Sequence, residues 1–407
     1  VAEDNQPIEV PEVRVTDEEF PLPLPPPPAP GEPDDDELSL AVDGRIYRGW
    51  DSVAVTRGCE RLPSSFTVTL TERFPGEADI IIEPGALCLV RLGRDPVLTG
   101  YIDRYVPAID GKSHTVTIVG RSKCQDLVDC SAILPGQQLS GLTVAEIARK
   151  LAAPYGISVS APTDDGPLVP QLNLIFGETP WDVIERLCRV ARFLAYDDAD
   201  GNLVLAPVSG ETHASGVREG DNVLAAAGLF SADGRYSEYH VHLLSTTPLF
   251  QVDQAAGGTG TLPPAGSASD EGVRRLRRHT CILEHAGPMD PQVLAQQRAE
   301  WEAARRRGRS ETLRVRVDSW RDSAGELWQP NKRISVMVAS CKVRMATWVV
   351  GEVTYRRGLG GTTADLTLMP PEAFSPEYVP YLPFNFQLSE AARQGEEAAQ
   401  RRPEGGQ

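Results

Sequence analysis

From Gly49 to Glu72 the chain reads GWDSVAVTRGCERLPSSFTVTLTE. Val53 and Val55 alternate with small or polar neighbours, and Phe66, Val68 and Leu70 alternate with Thr67, Thr69 and Thr71. A period of two with β-branched residues predicts two half-buried strands. The connector from Gly58 to Ser64 is polar and holds a Gly and a Pro, as a turn requires. A Trp, Trp50, and an Arg stand at the start of this hairpin, as at the opening of a barrel meant to touch something.

The same pattern returns late in the chain. SFTVTLTE (65–72), EPGALCLVRL (83–92), VLTGYID (97–103) and HTVTIVGR (114–121) are answered by TLRVRVDS (312–319), QPNKRISVMV (329–338), WVVGEVT (348–354) and TADLTLMP (363–370). Pro84-Gly85 answers Pro330-Asn331, and Gly100 in mid-strand answers Gly351. A Gly inside a strand marks a bulge or a close backbone approach, so its recurrence is informative. The expectation is one small β-barrel used twice.

Between the repeats the period changes. Thr143 with Glu146 forms a capping box, after which Val144, Ile147, Ala148 and Leu151 share one helical face. A second helix starts at Thr179 with Pro180 at its first position, and Trp181, Ile184, Cys188 and Ala191 line its expected buried side. It leads into the hairpin RFLAYDDADGNLVLAPV, with Gly201 in the turn. Asp290-Pro291 opens a third helix, running through Leu294 and Trp301 toward Arg307.

The expected organisation is therefore β-rich α+β and multidomain. It comprises an acidic Pro-rich arm (1–37), a first barrel (38–121) opened by a hairpin across Asp43-Gly44, and an α+β insert (122–207). Strands at 208–252 return to the first barrel or link domains, and a low-complexity flexible loop follows at 253–272. A helix and the second barrel occupy 273–370, and an extended tail 371–407.

Composition adjusts this picture in three places. The chain has 407 residues, 41% hydrophobic, enough for several domains and a sizeable core. Of the net charge of −17, about −11 lies in residues 1–37, where twelve acidic residues meet one Arg. That arm, with PLPLPPPPAP at 21–30, is either a solvated tail or an extended strap along a neighbouring subunit. An acidic chain is a poor nucleic-acid binder. The seven cysteines lack any C-x-x-C spacing, so they read as reduced thiols rather than a disulfide frame or a zinc site. No apolar run reaches membrane-spanning length and no export signal is visible, which leads to the expectation of a soluble chain outside the general secretory route.

Candidate chemistry is sparse. Gly111-Lys112-Ser113 is half a phosphate loop, followed by a strand where the helix should begin. Asp197–Asn202 hints at a calcium loop, but counting back from Gly201 puts Tyr196 at the first ligand position, so a hairpin turn is expected. His240 and His242 share one strand face with Glu238, a weak metal pattern set against ordinary sheet histidines. RRLRRH (274–279) and Arg305–Arg307 are basic spots, read as solvated faces or as partners for an acidic arm. No nucleophile motif occurs, and the expectation is a non-enzyme with no catalytic residues, metal or cofactor.

Taken together, GWDSVAVTRGCERLPSSFTVTLTER, EPGALCLVRLGRDPVLTGYIDR, HTVTIVGRSKCQDLVDCSA, GETPWDVIERLCRVARFLAYDDADGNLVLAP and RAEWEAARRRGRSETLRVRVDSWRDSAGELWQPN resemble the phage Mu-type tail protein P family over roughly residues 38–374. The resemblance implies a baseplate hub: a homotrimer with two barrels per chain, so that a threefold object presents six similar faces. It implies a central spike and a tail tube or distal tube protein as partners, with tape-measure and baseplate wedge proteins further out. It places the chain in the virion tail baseplate, assembled in the bacterial host cytoplasm. The insert also resembles LysM-type units, which keeps open a peptidoglycan-binding or wall-degrading tail module.

Overall fold

The computed structural model describes residues 36–71, 82–110, 114–243, 264–283 and 291–376. The arm before Asp36, the Gly111-Lys112-Ser113 stretch, the first part of the 253–272 loop, Asp290 and the tail beyond Pro376 lie outside the described residues.

The first module holds β1 (Leu38–Val42), β2 (Arg45–Tyr47), β3 (Ser52–Gly58), β4 (Ser65–Thr71), β5 (Leu87–Leu92), β6 (Asp95–Ile109) and β7 (His114–Ser122). Hairpin β1–β2 turns across Asp43 and Gly44, both in the left-handed region. Val53, Val55, Phe66 and Val68 are buried, as their alternation requires. Each such side chain contributes roughly 1.5–3 kcal/mol. Trp50 is also in this core, so it packs inward rather than presenting a contact surface.

The insert follows, with α1 (Gln125–Asp129), β8 (Gln138–Thr143), α2 (Val144–Ala152), β9 (Val159–Ser160), β10 (Leu168–Asn173), α3 (Pro180–Ala191), β11 (Leu194–Asp197) and β12 (Leu203–Ala206). The expected box of Thr143 with Glu146 is present, and α3 starts at Pro180 as expected, its cap Thr179 forming a further box with Asp182. The four apolar residues expected on the α2 face are all buried. On α3 the buried stripe is Val183, Ile184, Leu187 and Cys188, while Trp181 and Ala191 are only half-buried. The stripe is turned because α3 packs on α2 and α1 through the i, i+4 rows starting at Val183 and Ile184.

The second module is β13 (Val217–Arg218), β14 (Val223–Phe230), and, after an excursion, β18 (Glu311–Val317), β19 (Arg333–Val338), β20 (Val343–Gly358) and β21 (Gly361–Met369). The excursion is β15 (Glu238–Leu243), β16 (Gly266–Ser269), β17 (Arg278–Leu283) and α4 (Pro291–Arg309). Two expectations change here. Of the two roles expected for 208–252, return to the first module is not taken by β13 or β14, which pair β19 and β18; residues 244–252 lie outside the described residues. Part of the 253–272 stretch is a strand: β16 pairs β15, and a Cβ on Gly266 would lie 2.3 Å from the Ala295 backbone of α4. Small residues there permit close helix packing, which composition alone reads as a loop. Nor does the segment after Pro370 simply lie extended: Pro371–Phe374 is a short 3-10 turn with Phe374 buried.

All module strands join one 13-stranded sheet running β14-β18-β21-β20-β3-β4-β7-β6-β5-β1-β2, with β19 and β13 branching from β20. Among the described residues this path stays open. The strand order β3-β4-β7-β6-β5 is repeated as β14-β18-β21-β20-β19. One hydrophobic cluster, including Val55, Phe66, Ile118, Val315, Val353 and Leu366, runs beneath both modules.

Candidate functional site

The repeat can be followed atom by atom at its matched turn. Gly85 and Asn331 are both left-handed, at φ +89° and +61°. Gly85 N–H donates to the Ile102 carbonyl at 2.7 Å, and Asn331 N–H to the Val350 carbonyl at 2.8 Å. Ile102 N–H returns a bond to Ala86, and Val350 N–H to Lys332. One residue further, each strand carries a bulge, at Asp103 in β6 and at Gly351 in β20. Gly351 therefore corresponds to Asp103, not to Gly100. The two glycines have separate reasons: a Cβ on Gly100 would lie 1.9 Å from the Arg121 carbonyl, and one on Gly351 would meet the Phe374 ring at 2.6 Å.

The modules meet edge to edge. β3 pairs antiparallel with β20 from Val53 opposite Arg357 to Gly58 opposite Glu352. Thr56 and Thr354 face each other with hydroxyls 3.0 Å apart. Cys59 N–H donates to the Gly351 carbonyl, extending the seam. At one end α4 reinforces it, with Arg305 and Arg309 both reaching Glu60.

Two buried carboxylates pin the connecting segments. Asp197, at the end of β11, accepts from Ser64 N–H at 2.7 Å, from Ser64 Oγ at 2.5 Å and from Ser122 Oγ. It fastens the insert to the first module, and the neighbouring Asp198 closes the turn by accepting from Asp200 and Asn202 N–H. The Asp197–Asn202 stretch is thus a hairpin turn. In the second module Asp322 accepts from the N–H groups of Ala214, Ala324 and Glu326 and from His213 Nδ1. Gln329 N–H donates to His213 Nε2, so the ring proton sits on Nδ1. Burial alone would raise the Asp322 carboxyl, but these donors hold it below its ordinary value.

The remaining candidates resolve into ion pairs. Glu238 is held by Arg278 at 2.8 Å and His240 at 3.2 Å, which lower its pKa and occupy it. A different cluster, invisible to local spacing, brings His279, Cys281 and Glu302 within 4.8 Å. Both Glu302 oxygens are taken, by Arg298 at 2.9 Å and Arg306 at 2.7 Å. Burial and Arg306 hold His279 below its usual value, and burial raises Cys281. Two guanidinium groups in the place of a cation make this a packed ion-pair core. Several arginines of the basic spots are held within the chain: Arg277 bonds the Ala232 and Asp233 carbonyls, Arg305 the Ser375 carbonyl, and Arg307 faces Asp270.

The described geometry is thus a strand module used twice and joined through a shared edge. The Mu phage baseplate assembly protein GpP-like N-terminal domain matches residues 37–122, the second domain of the gp44-like baseplate hub matches 124–207, and the GpP fourth domain matches 292–377. The baseplate hub protein gp44 of Escherichia phage Mu is 29% identical over 341 residues, covering 83% of this chain and 88% of gp44. The 43 kDa tail protein of prophage MuSo2 from Shewanella oneidensis is 28% identical with a TM-score of 0.73, over 84% of this chain and all of that one. A type VI secretion component of E. coli, described as similar to T4 tail proteins gp27 and gp5, shares the fold at 11% identity. Its TM-score is 0.50, over 81% of this chain and 76% of its own. By these three domain matches and by its likeness to gp44 and the MuSo2 tail protein, the chain is a relative of the Mu-type baseplate hub proteins. Among the described residues no helix is long and apolar enough to cross a membrane.

Proposed function

We propose that this chain is a trimeric adaptor of a phage tail or phage-derived baseplate, joining a sixfold tube to a threefold central spike. The observation that carries it is the repeated strand order with an edge-to-edge seam between the copies. Three such chains present six similar sheet modules, while the inserts and the α4 excursions, present once per chain, keep the symmetry threefold. A head-to-tail contact that closes gives a cyclic ring. The tube protein would meet the sixfold face and the spike the threefold one, with tape-measure and wedge proteins as further contacts and assembly in the host cytoplasm. Light scattering of the purified full chain tests this: a mass of three chains is expected, and a monomer at assembly concentrations overturns it. Averaged images of the trimer should show six equivalent densities in its ring.

A further inference from the structure

The two modules share a strand order but not the chemistry of their outward faces. Starting at the matched turn and stepping across the sheet, the row Ile102, Gly120, Phe66, Val55 corresponds to the row Val350, Leu368, Leu313, Gly228. Alternate side chains along each strand point away from the core. There, Thr67 and Thr69 of β4 correspond to Arg314 and Arg316 of β18, and Thr117 of β7 to Asp365 of β21. Past the bulges Arg104 corresponds to Glu352, which matches Ala108 and Ile109 of β6 with Arg356 and Arg357 of β20. Where the first module joins Thr69 to Thr117 through hydroxyls 3.1 Å apart, the second joins Arg316 and Arg356 to Asp365 at 2.7 and 2.6 Å.

The arginines line a groove. Two adjoining hollows share Arg316 and Arg356, and Arg314 borders one while Arg357 borders the other. The carboxylates there are Asp365 and Glu352, and Glu352 is also engaged by Arg61 at 3.4 Å, so positive charge is in excess. Asp36, the first described residue, stands at the end of this groove: Arg357 Nη1 donates to its carbonyl. The next carbonyl, of Glu37, accepts from Gly93 N–H at 2.8 Å, which fixes where the arm leaves the module. Just before Asp36 come Glu32, Pro33, Asp34 and Asp35, and residues 1–35 hold ten acidic side chains against one arginine.

We infer that residues 32–35 of the acidic arm dock in the arginine-lined groove of their own chain's second module, with Glu32, Asp34 and Asp35 as its counter-charges. Reach allows it. Four residues of extended chain span about 13 Å, and strands lie about 4.8 Å apart, so the segment crosses from β20 to β18. Exposed ion pairs are individually weak. A segment tethered at the rim of its site meets it at high effective concentration, which offsets that weakness. The first module offers only Thr67, Thr69, Ala108 and Ile109 at the same places, so the arm distinguishes two otherwise similar faces. The inference goes beyond the adaptor reading and does not depend on it.

The test uses full chains carrying R314K or R316K, each placing an amine on β18, treated with a carbodiimide that couples amines to touching carboxylates. Coupling of the R316K amine to Asp365 is the internal control. Mass spectrometry should also find coupling to Glu32, Asp34 or Asp35 in a product of single-chain mass. That product should fall at least about fivefold near 1 M NaCl, where the screening length is about 3 Å. Coupling to the arm in a product of two-chain mass assigns the groove to a neighbour's arm and overturns the inference. Coupling to Asp365 alone overturns it too. As a second measurement, R314E/R316E with native circular dichroism should be cut before Asp34 by an aspartate-directed protease at least about tenfold faster than wild type. An equal rate overturns the docking, and light scattering reports the trimer separately.

Discussion

Val55 of β3 and Gly228 of β14 hold the same place in their modules, one fully buried beneath a seam and the other open to solvent. Their scaffolds are alike down to the left-handed turn and the bulge that follows it. The rims differ. β3 reads SVAVTRG and is paired on its outer edge by β20, whereas β14 reads VLAAAGLF and, among the described residues, pairs only β18. Two like edges that carry unlike residues are suited to unlike surroundings, and for β3 that surrounding is the module's own twin.

The modules also differ in how their attachments are held, and Asp197 offers the largest effect. Replacing it with Ala leaves the Ser64 and Ser122 donors unpaired in a buried site. At about 1–3 kcal/mol for each buried orphan, D197A should cost about 4 kcal/mol in urea unfolding. The loss should appear as release of the insert from the first module, read by proteolysis near residue 123, with the second module intact.

The glycines separate next. G100A forces a Cβ against the backbone of Arg121, which cannot turn aside, so a cost of about 3 kcal/mol is expected. G351A meets only the Phe374 ring, which can shift, and should cost about 1 kcal/mol by the same thermal or chemical unfolding. Equal losses would mean that the two positions are equivalent after all.

Asp322 provides a pH test within the second module. Its carboxyl lies below the ordinary value of 3.8 when folded. Its stabilising bonds are therefore complete above that value and are lost as the pH falls through the lower, folded one. D322N, which keeps the shape but only one strong acceptor, should cost about 2 kcal/mol at pH 7. The gap from wild type should narrow below about pH 4 in urea midpoints measured across pH. A gap constant down to pH 3 would assign the role to packing.

The duplication was legible because alternation survives in both copies: Phe66 and Val68 match Leu313 and Val315 in burial as well as in spacing. The Thr143–Glu146 cap was legible because a capping box is a local arrangement of four residues, and the start of α3 because Pro180 marks a first helical position. The placement of β13 and β14 was not, since a strand's partner is set by long-range pairing that its own sequence does not encode. Gly100 and Gly351 misled because a glycine signals close approach without saying what approaches. Trp50 looked exposed by type and proved buried by context. The seam itself was invisible: Thr56 and Thr354 are ordinary strand residues until the sheet brings them together.

The smallest effect probes the turn on which the whole correspondence is anchored. Gly85 meets nothing within 4 Å at its missing Cβ, and at its φ of +89° Asn is among the side chains that strain least. G85N should therefore cost about 0.5 kcal/mol, all of it backbone strain. Asn331 does more than fill its turn: its Oδ1 accepts from Ser209 N–H, and its Nδ2 donates to the Pro207 carbonyl and the Tyr196 hydroxyl. N331G keeps the backbone geometry and loses all three bonds, at about 1.5 kcal/mol. The asymmetry follows from position, because the turn of the second module also anchors the end of the insert while that of the first anchors only its own strand. If the two substitutions cost the same in paired urea titrations, the side chain of Asn331 adds nothing to the turn and the insert is held by Asp197 alone.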